Sequence, residues 1–257
     1  MITIQSKDNP KLKQLRGLIE QSGLRKKQQQ TVLEGAHLIE SYLINHQPVC
    51  LFTTEEGFEH LENQHSIEMS TCPLFIISDQ IYKSLTTLGQ STPLMAIIDI
   101  PQTTNSLNGK IDTLIIDCVQ DPGNVGTLLR SAAAVGVKQI ITTKGTASLW
   151  SPRVLRAAMG AHFSLNLIEN KEVDSLLSPF EIPVYATSSH RPQSIYTLDL
   201  TQPSVWILGN EGQGVSESLL EQAQAVTIPQ PGGQESLNVA IAGSVCLFEM
   251  MRQRISL

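Results

Sequence analysis

The chain has 257 residues, 41% of them hydrophobic, and a formal net charge of −6. That is long enough to bury a substantial core in one large domain or two ordinary ones, while no apolar run reaches the roughly 20 residues of a membrane-spanning helix. The acidic balance excludes a uniformly basic nucleic-acid surface. The N-terminus, MITIQSKDNPKLKQLRG, lacks the apolar stretch of a secretory signal, so the expected compartment is the cytoplasm.

The first hundred residues open on two helical patterns. Asp8 or Asn9 caps a helix with Leu12, Leu15, Leu18 and Ile19 on one face, and Gly23 ends it. A second helix, around Glu34 to Asn45, presents Ala36, Leu38, Ile39, Tyr42 and Leu43. Alternation follows: strand PVCLFTT, helix GFEHLENQ, strand PLFIIS, helix DQIYKSLTTL and strand PLMAIIDI. These elements predict a small α/β unit with its own core, residues 1–105. The polar, turn-rich segment from Pro101 to Lys110 reads as a linker.

The second unit, residues 106–257, repeats the alternation. Strand TLIIDCV precedes helix GTLLRSAAAV, which Gly136 ends. Strand KQIITT precedes helix PRVLRAAMGA, begun by Pro152 at its first turn. Further strands are expected at FSLNLI, IPVYATS, SVWILG and AVTIP, and a terminal helix from Asn238. Such alternation implies a mainly parallel sheet covered on both faces.

Charge is unevenly spread. Residues 1–27 carry seven basic residues against Asp8 and Glu20, whereas residues 28–109 hold Lys83 against nine acids. The basic arm has two readings: local contact with phosphate, or an ordinary solvated helix face. The four cysteines, Cys50, Cys72, Cys118 and Cys246, form no C-x-x-C pair and sit in apolar runs, so free core thiols are expected.

Three loops carry the chemistry, each following an apolar β-rich run and opening onto a helix, as ligand sites do in open α/β sheets. They lie in DCVQDPGNVGTLLRSAAAVGV, WILGNEGQGVS and IPQPGGQESLNVAIAGSVCLFEMMRQR. GNEGQG has the order G-x-x-G-x-G rather than a dinucleotide fingerprint, and no P-loop, G-x-S-x-G elbow or H-E-x-x-H is present. Hydride transfer, NTP hydrolysis, serine hydrolysis and zinc catalysis are thus poorly served, and no metal is expected. The loop glycines let main-chain groups approach an uncharged planar ligand such as adenine. Asn124, Arg130, Glu211, Ser236 and Asn238 add orientation and charge. Each of the polar four also has a structural reading, Asn124 and Asn238 as helix caps. Arg130 stands out in a small, apolar helix, with Gly126 and Ala133 or Ala134 on its face.

On these three motifs the C-terminal half resembles the SPOUT class of RNA methyltransferases, and more narrowly the SpoU (TrmH-like) family of ribose 2′-O-methyltransferases. SPRVLRAAMGAHF resembles the family segment between the first two motifs. VLEGAHLIESYL resembles part of the smaller, ribosomal-protein-like α/β domain that binds RNA substrate ahead of the catalytic domain in many members. The resemblance implies S-adenosylmethionine as cofactor, a C-terminal trefoil knot, which is rare in proteins, and a homodimer through the knot region. Carried over, Asn124 and Arg130 fall in the first motif, Glu211 in the second, and Ser236 and Asn238 in the third. The cofactor would contact Gly209, Ile228, Leu237 and Asn238, with Thr187 and Glu211. RNA contact would come from Lys7, Lys11, Lys13, Arg25, Lys26 and Lys27, and from Arg153 and Arg156.

A ribose 2′-hydroxyl is a weak acid, so its oxygen must be polarised as it attacks the activated methyl. Guanidinium groups hold their proton too tightly to be good bases. Arg130 is therefore expected to grip the neighbouring RNA phosphate and stabilise developing alkoxide charge. The implied activity is ribose 2′-O-methylation of 23S-type ribosomal RNA. The alternatives are tRNA 2′-O-methylation, or a non-catalytic RNA-binding ribosome-assembly factor on the same fold.

Overall fold

The computed structural model describes residues 1–64, 72–87, 92–101, 106–188, 193–233 and 236–255. Residues 102–105 of the expected linker and Leu88, the end of one expected helix, lie outside the described residues. The chain divides into two compact units. One comprises Met1–Gln102 with Trp150–Gly160, the other Thr103–Leu149 with Ala161–Leu257.

In the first unit, β1 (Ile2–Ile4) leads to α1 (Pro10–Glu20) and α2 (Ser22–Gln28). Asn9 caps α1 by accepting from the Lys11 amide at 2.9 Å, with Pro10 at the first turn. Gly23 does not end this helix. The break falls at Gln21, which is extended, and Gly23 lies inside α2. β2 (Gln30–Glu34) comes next, where the helical reading began too early. Gly35, at φ 98°, turns the chain from that strand into α3 (Ala36–Leu43).

β3 (Cys50–Thr53), α4 (Glu55–Gln64), β4 (Leu74–Ile77), α5 (Asp79–Lys83) and β5 (Leu94–Asp99) complete the alternation. The strands order as β1-β4-β3-β5-β2. β1 and β3 run parallel to β4, whereas β2 and β3 run antiparallel to β5. Leu12, Leu15, Leu18, Phe52, Phe75, Met95 and Ile97 share the core beneath α1.

The second unit is built on a parallel sheet of six strands: β6 (Thr113–Ile116), β7 (Gln139–Thr143), β8 (Asn166–Lys171), β9 (Val184–Thr187), β10 (Val205–Leu208) and β11 (Gln224–Val226). Phe163 and Ser164, expected at the start of β8, form a 3-10 turn instead. The helices are α6 (Pro122–Ala134), α7 (Pro152–Ala158), which groups with the first unit, the short α8 (Glu217–Leu220) and the terminal α9 (Val239–Ile255). Ile115, Ile207, Leu208 and Val205 are fully buried, as expected of strands covered on both faces.

α9 lies against α6 and β10 at Gly243. A β-carbon there would stand 2.3 Å from Leu208 Cδ1 and 2.4 Å from Leu128 Cδ2, so any larger residue would have to push both leucine side chains aside. Ser131 and Ser244 hydrogen-bond across the two helices at 2.8 Å. No helix among the described residues is long and apolar enough to cross a membrane.

Candidate active site

The strand order β11-β9-β10-β6-β7-β8 places the point where the strand order reverses between β6 and β10. Loops leaving adjacent strands at such a reversal open a crevice at their carboxyl ends. Asp117, at the end of β6, ties these loops together. One buried carboxylate oxygen accepts from the Thr143 hydroxyl at 2.7 Å, and the other from the Ser216 amide at 2.7 Å. Asn210 makes a second tie. Its side-chain nitrogen donates to the Cys118 carbonyl at 3.0 Å, while its oxygen accepts from the amides of Gly212 and Gln213. The loop after β10 then closes so tightly that a β-carbon on Gly209 would stand 2.1 Å from the Gly214 backbone.

A cleft of about 850 Å³ opens within this unit, a volume suited to a ligand of cofactor size. Its apolar wall includes Val226, Ile228, Leu237 and Leu220, and its polar wall Thr187, Ser188, Glu211 and Ser236. Among the described lining residues, Glu211 is the one ionisable side chain. Such a lining disfavours a polyphosphate, and it fits a ligand with a flat apolar ring and a positive centre, the chemistry of S-adenosylmethionine. Thr187, Gly209, Glu211, Ile228 and Leu237 of the expected cofactor set all line the cleft, as does Ser236; Asn238 is not among its lining.

Three expected residues form one directional chain. The Asn238 side-chain oxygen caps α9, accepting from Ala240 at 2.9 Å and Ile241 at 3.3 Å. Its amide nitrogen is thereby turned toward Asn124, whose oxygen it meets at 3.0 Å. The Asn124 nitrogen in turn donates to Glu211 at 2.5 Å. α6 sets Asn124 in place, because Asp121 caps that helix by accepting from the Asn124 amide at 2.8 Å, with Pro122 at the first turn. Asn238 is thus both a helix cap and a member of the chain. Arg130 lies apart. It is exposed on α6, does not line the cleft, and meets no acceptor among the described residues.

Of the expected RNA-facing residues, Lys7, Lys11, Lys13, Lys26, Lys27, Arg153 and Arg156 are exposed. Lys13 pairs with Asp8 at 2.9 Å, and Arg156 donates to the Thr87 carbonyl at 3.3 Å. Arg25 is a correction. Its side chain is buried, and Nη1 donates to the carbonyls of Leu18 at 2.8 Å and Ile19 at 3.1 Å, capping the last turn of α1. A guanidinium used that way is withdrawn from phosphate contact. The four cysteines are free thiols. Cys50 and Cys246 are buried, and burial pushes their thiols up to about 11 and about 12; Cys72 and Cys118 are half-buried.

Sequence reasoning gave no role to Asp117 or Asn210. An acid at the carboxyl end of an apolar strand is the signal that marks Asp117, whereas the partners of Asn210 are set by loop closure.

Residues 113–248 match the SpoU rRNA Methylase family, and residues 9–96 match the MRM3-like substrate binding domain. An uncharacterised tRNA/rRNA methyltransferase of Synechocystis sp. is 33% identical, covering 98% of this chain and 94% of its own. The 23S rRNA (guanosine(2553)-2′-O)-methyltransferase RlmP of Bacillus subtilis is 28% identical over 97% of this chain and 99% of its own. The crystal structure of an AdoMet-bound rRNA methyltransferase from Sinorhizobium meliloti superposes with a TM-score of 0.82 at 25% identity, covering 97% of each chain. With a family match across more than half its length and a one-third-identical relative aligned almost end to end, the chain belongs to the SpoU rRNA Methylase family.

Proposed function

We propose that this chain is an S-adenosylmethionine-dependent RNA 2′-O-methyltransferase acting on 23S-type ribosomal RNA. The observation that carries the reading is the Asn238–Asn124–Glu211 chain, which delivers a single carboxylate to an otherwise uncharged described lining. The cofactor supplies an activated methyl group on a positively charged sulfur. Gly209, Ile228 and Leu237 would hold its adenosine part against main chain and apolar side chains, with Thr187 in the same lining. Glu211 would offset the positive charge, and Asn124 and Asn238 hold the Glu211 carboxylate in place. Ser236 shapes the mouth of the cleft.

Arg130 grips the RNA phosphate beside the target nucleotide and stabilises negative charge on the attacking ribose oxygen. Its exposure, and the lack of an internal acceptor among the described residues, leave it available. The exposed lysines of α1 and α2, with Arg153 and Arg156, supply sequence-independent RNA contact, consistent with the substrate-binding match over residues 9–96. Family membership supports the trefoil knot. The homodimer draws further support from α9, where Ile241, Phe248 and Ile255 are exposed at seven-residue intervals along one face.

The test is transfer of tritiated methyl from S-adenosylmethionine to rRNA and tRNA from cells lacking the protein, using wild type, Arg130→Lys and Arg130→Ala. Label in an alkali-resistant dinucleotide of rRNA, lost in both variants, is the expected result. Label confined to tRNA overturns the substrate class. Near-normal methylation by either variant overturns the role of Arg130.

A further inference from the structure

Glu34 ends β2 as a buried carboxylate. Both of its oxygens are bound by one short segment of the same unit. The Thr87 amide donates to Oε1 at 3.1 Å and to Oε2 at 3.2 Å. The Thr87 hydroxyl donates to Oε2 at 2.7 Å, and the Thr86 hydroxyl donates to Oε1. Burying a carboxylate is costly unless donors replace its water, so these bonds hold the segment firmly.

Thr87 passes the constraint on. Its carbonyl accepts from Arg156 Nη1 at 3.3 Å, while Arg156 itself is exposed on α7. An arginine is a planar fork of five N–H donors, so one anchored donor orients the plane and leaves the others for a ligand. Arg153, three residues earlier, shares the exposed face, since Pro152, Val154, Leu155 and Ala158 are buried. Outside residues 1–27, Lys83, Arg153 and Arg156 are the basic residues of the first unit, and Lys83 stands four positions before Thr87. On an otherwise acidic stretch, a polyanion is attracted only where these cations stand.

Resting on the RNA assignment above, we propose that Glu34 is a positioning residue for RNA, acting through Thr87 to set the Arg156 guanidinium as a phosphate-binding fork. Glu34 touches no RNA itself. It lowers the cost of ordering a long side chain at the moment of binding. A buried carboxylate thereby strengthens the hold on a polyanion, the reverse of its bare electrostatic effect.

That sign makes the test. Filter binding of the full chain to radiolabelled rRNA from cells lacking the protein is read across a series of salt concentrations. Each phosphate contact contributes about 0.7 to 0.9 to the slope of log affinity against log salt. Arg156→Ala is expected to weaken binding severalfold and to reduce the slope by that amount. Glu34→Gln keeps the size but turns one acceptor into a donor facing Thr87. It is expected to shift affinity and slope in the same direction, although losing a negative charge would by itself tighten binding. Combined with Arg156→Ala, it should weaken binding no further. In the methylation assay the single variants raise KM for rRNA and leave KM for S-adenosylmethionine unchanged. Thermal melting reports whether each variant is folded. Thr87→Val, which removes only the hydroxyl tie at an exposed position, carries the same readout should Glu34→Gln fail to fold. Unchanged or tighter binding in the folded variant overturns the proposal, as does a further loss in the double variant. Failure of wild type to retain rRNA overturns the RNA assignment itself, a different result from variants that match wild type.

Discussion

At the scale of single residues, the polarity of the Asn238–Asn124–Glu211 chain is fixed from one end. Two α9 amides require the Asn238 oxygen, so each following amide must present its nitrogen forward. Asn124→Asp puts a carboxylate where Glu211 expects a donor, and two like charges at hydrogen-bond distance repel. It is expected to lower S-adenosylhomocysteine affinity and methylation rate by more than Asn124→Ala, on the order of tenfold or beyond. Parity between the two would show that only the volume of Asn124 matters.

His162 belongs at this scale too. Its Nε2 lies 2.7 Å from the Leu149 carbonyl, and burial pushes its pKa from 6.5 down to about 4. The folded protein therefore binds fewer protons here than the unfolded chain. The contribution to stability is complete above pH 6.5 and is lost as pH falls through 6.5 toward 4. At about 1.4 kcal/mol per pH unit, that is on the order of 3 kcal/mol. Urea unfolding at pH 7.5 and pH 5 should differ by about 2 kcal/mol, the share of that window crossed by pH 5, and His162→Gln should flatten the difference.

At the scale of elements, the contact of α9 with α6 and β10 hangs on Gly243, since Leu128 and Leu208 are fully buried and have nowhere to retreat. Gly243→Val is expected to destabilise by about 1–3 kcal/mol through overpacking, read as a lower urea midpoint with unchanged slope. Because α9 begins at the Asn238 cap, the same variant should also weaken cofactor binding.

Elements with a full period of apolar residues were legible from the chain alone. β6, β7, β10 and α9 fall where alternation and the Asn238 cap put them. α6 instead starts at Pro122 behind an Asp121 cap, ahead of the expected start at Gly126, and Asn124 lies inside the helix instead of capping it. The short ones were not. β1 and β11 have three residues each, and β2 borders a helix so closely that a single glycine separates them. α2 carries mostly polar residues, and Arg25, its buried anchor, looks in sequence like one more member of a basic run. The site divides in the same way. Motif order placed Gly209, Glu211, Ile228, Ser236 and Leu237 around one cleft, whereas the tie from Asn210 to the Cys118 carbonyl exists only once the loops are folded.

At the scale of the whole molecule, the unpartnered stripe on α9 carries the expectation of a dimer. Phe248→Asp puts a charge at its centre, and sedimentation should then show a monomer where wild type sediments as a dimer. A wild-type monomer would overturn the dimer.

The grouping of Trp150–Gly160 with the first unit has a consequence for dissecting this protein. α7 arises inside the stretch matched to the methylase family, yet the Trp150 carbonyl accepts from the Thr31 hydroxyl at 2.7 Å, and Val154 and Leu155 are fully buried. The seam in the gene is therefore not the seam in space. A fragment ending near residue 102 would lack a strut of its own core. A fragment starting near 106 would carry an apolar helix with its packing surface missing, prone to stick to other copies. Faithful halves would have to be laced differently, with residues 150–160 grafted onto the first piece and a short linker closing the gap in the second.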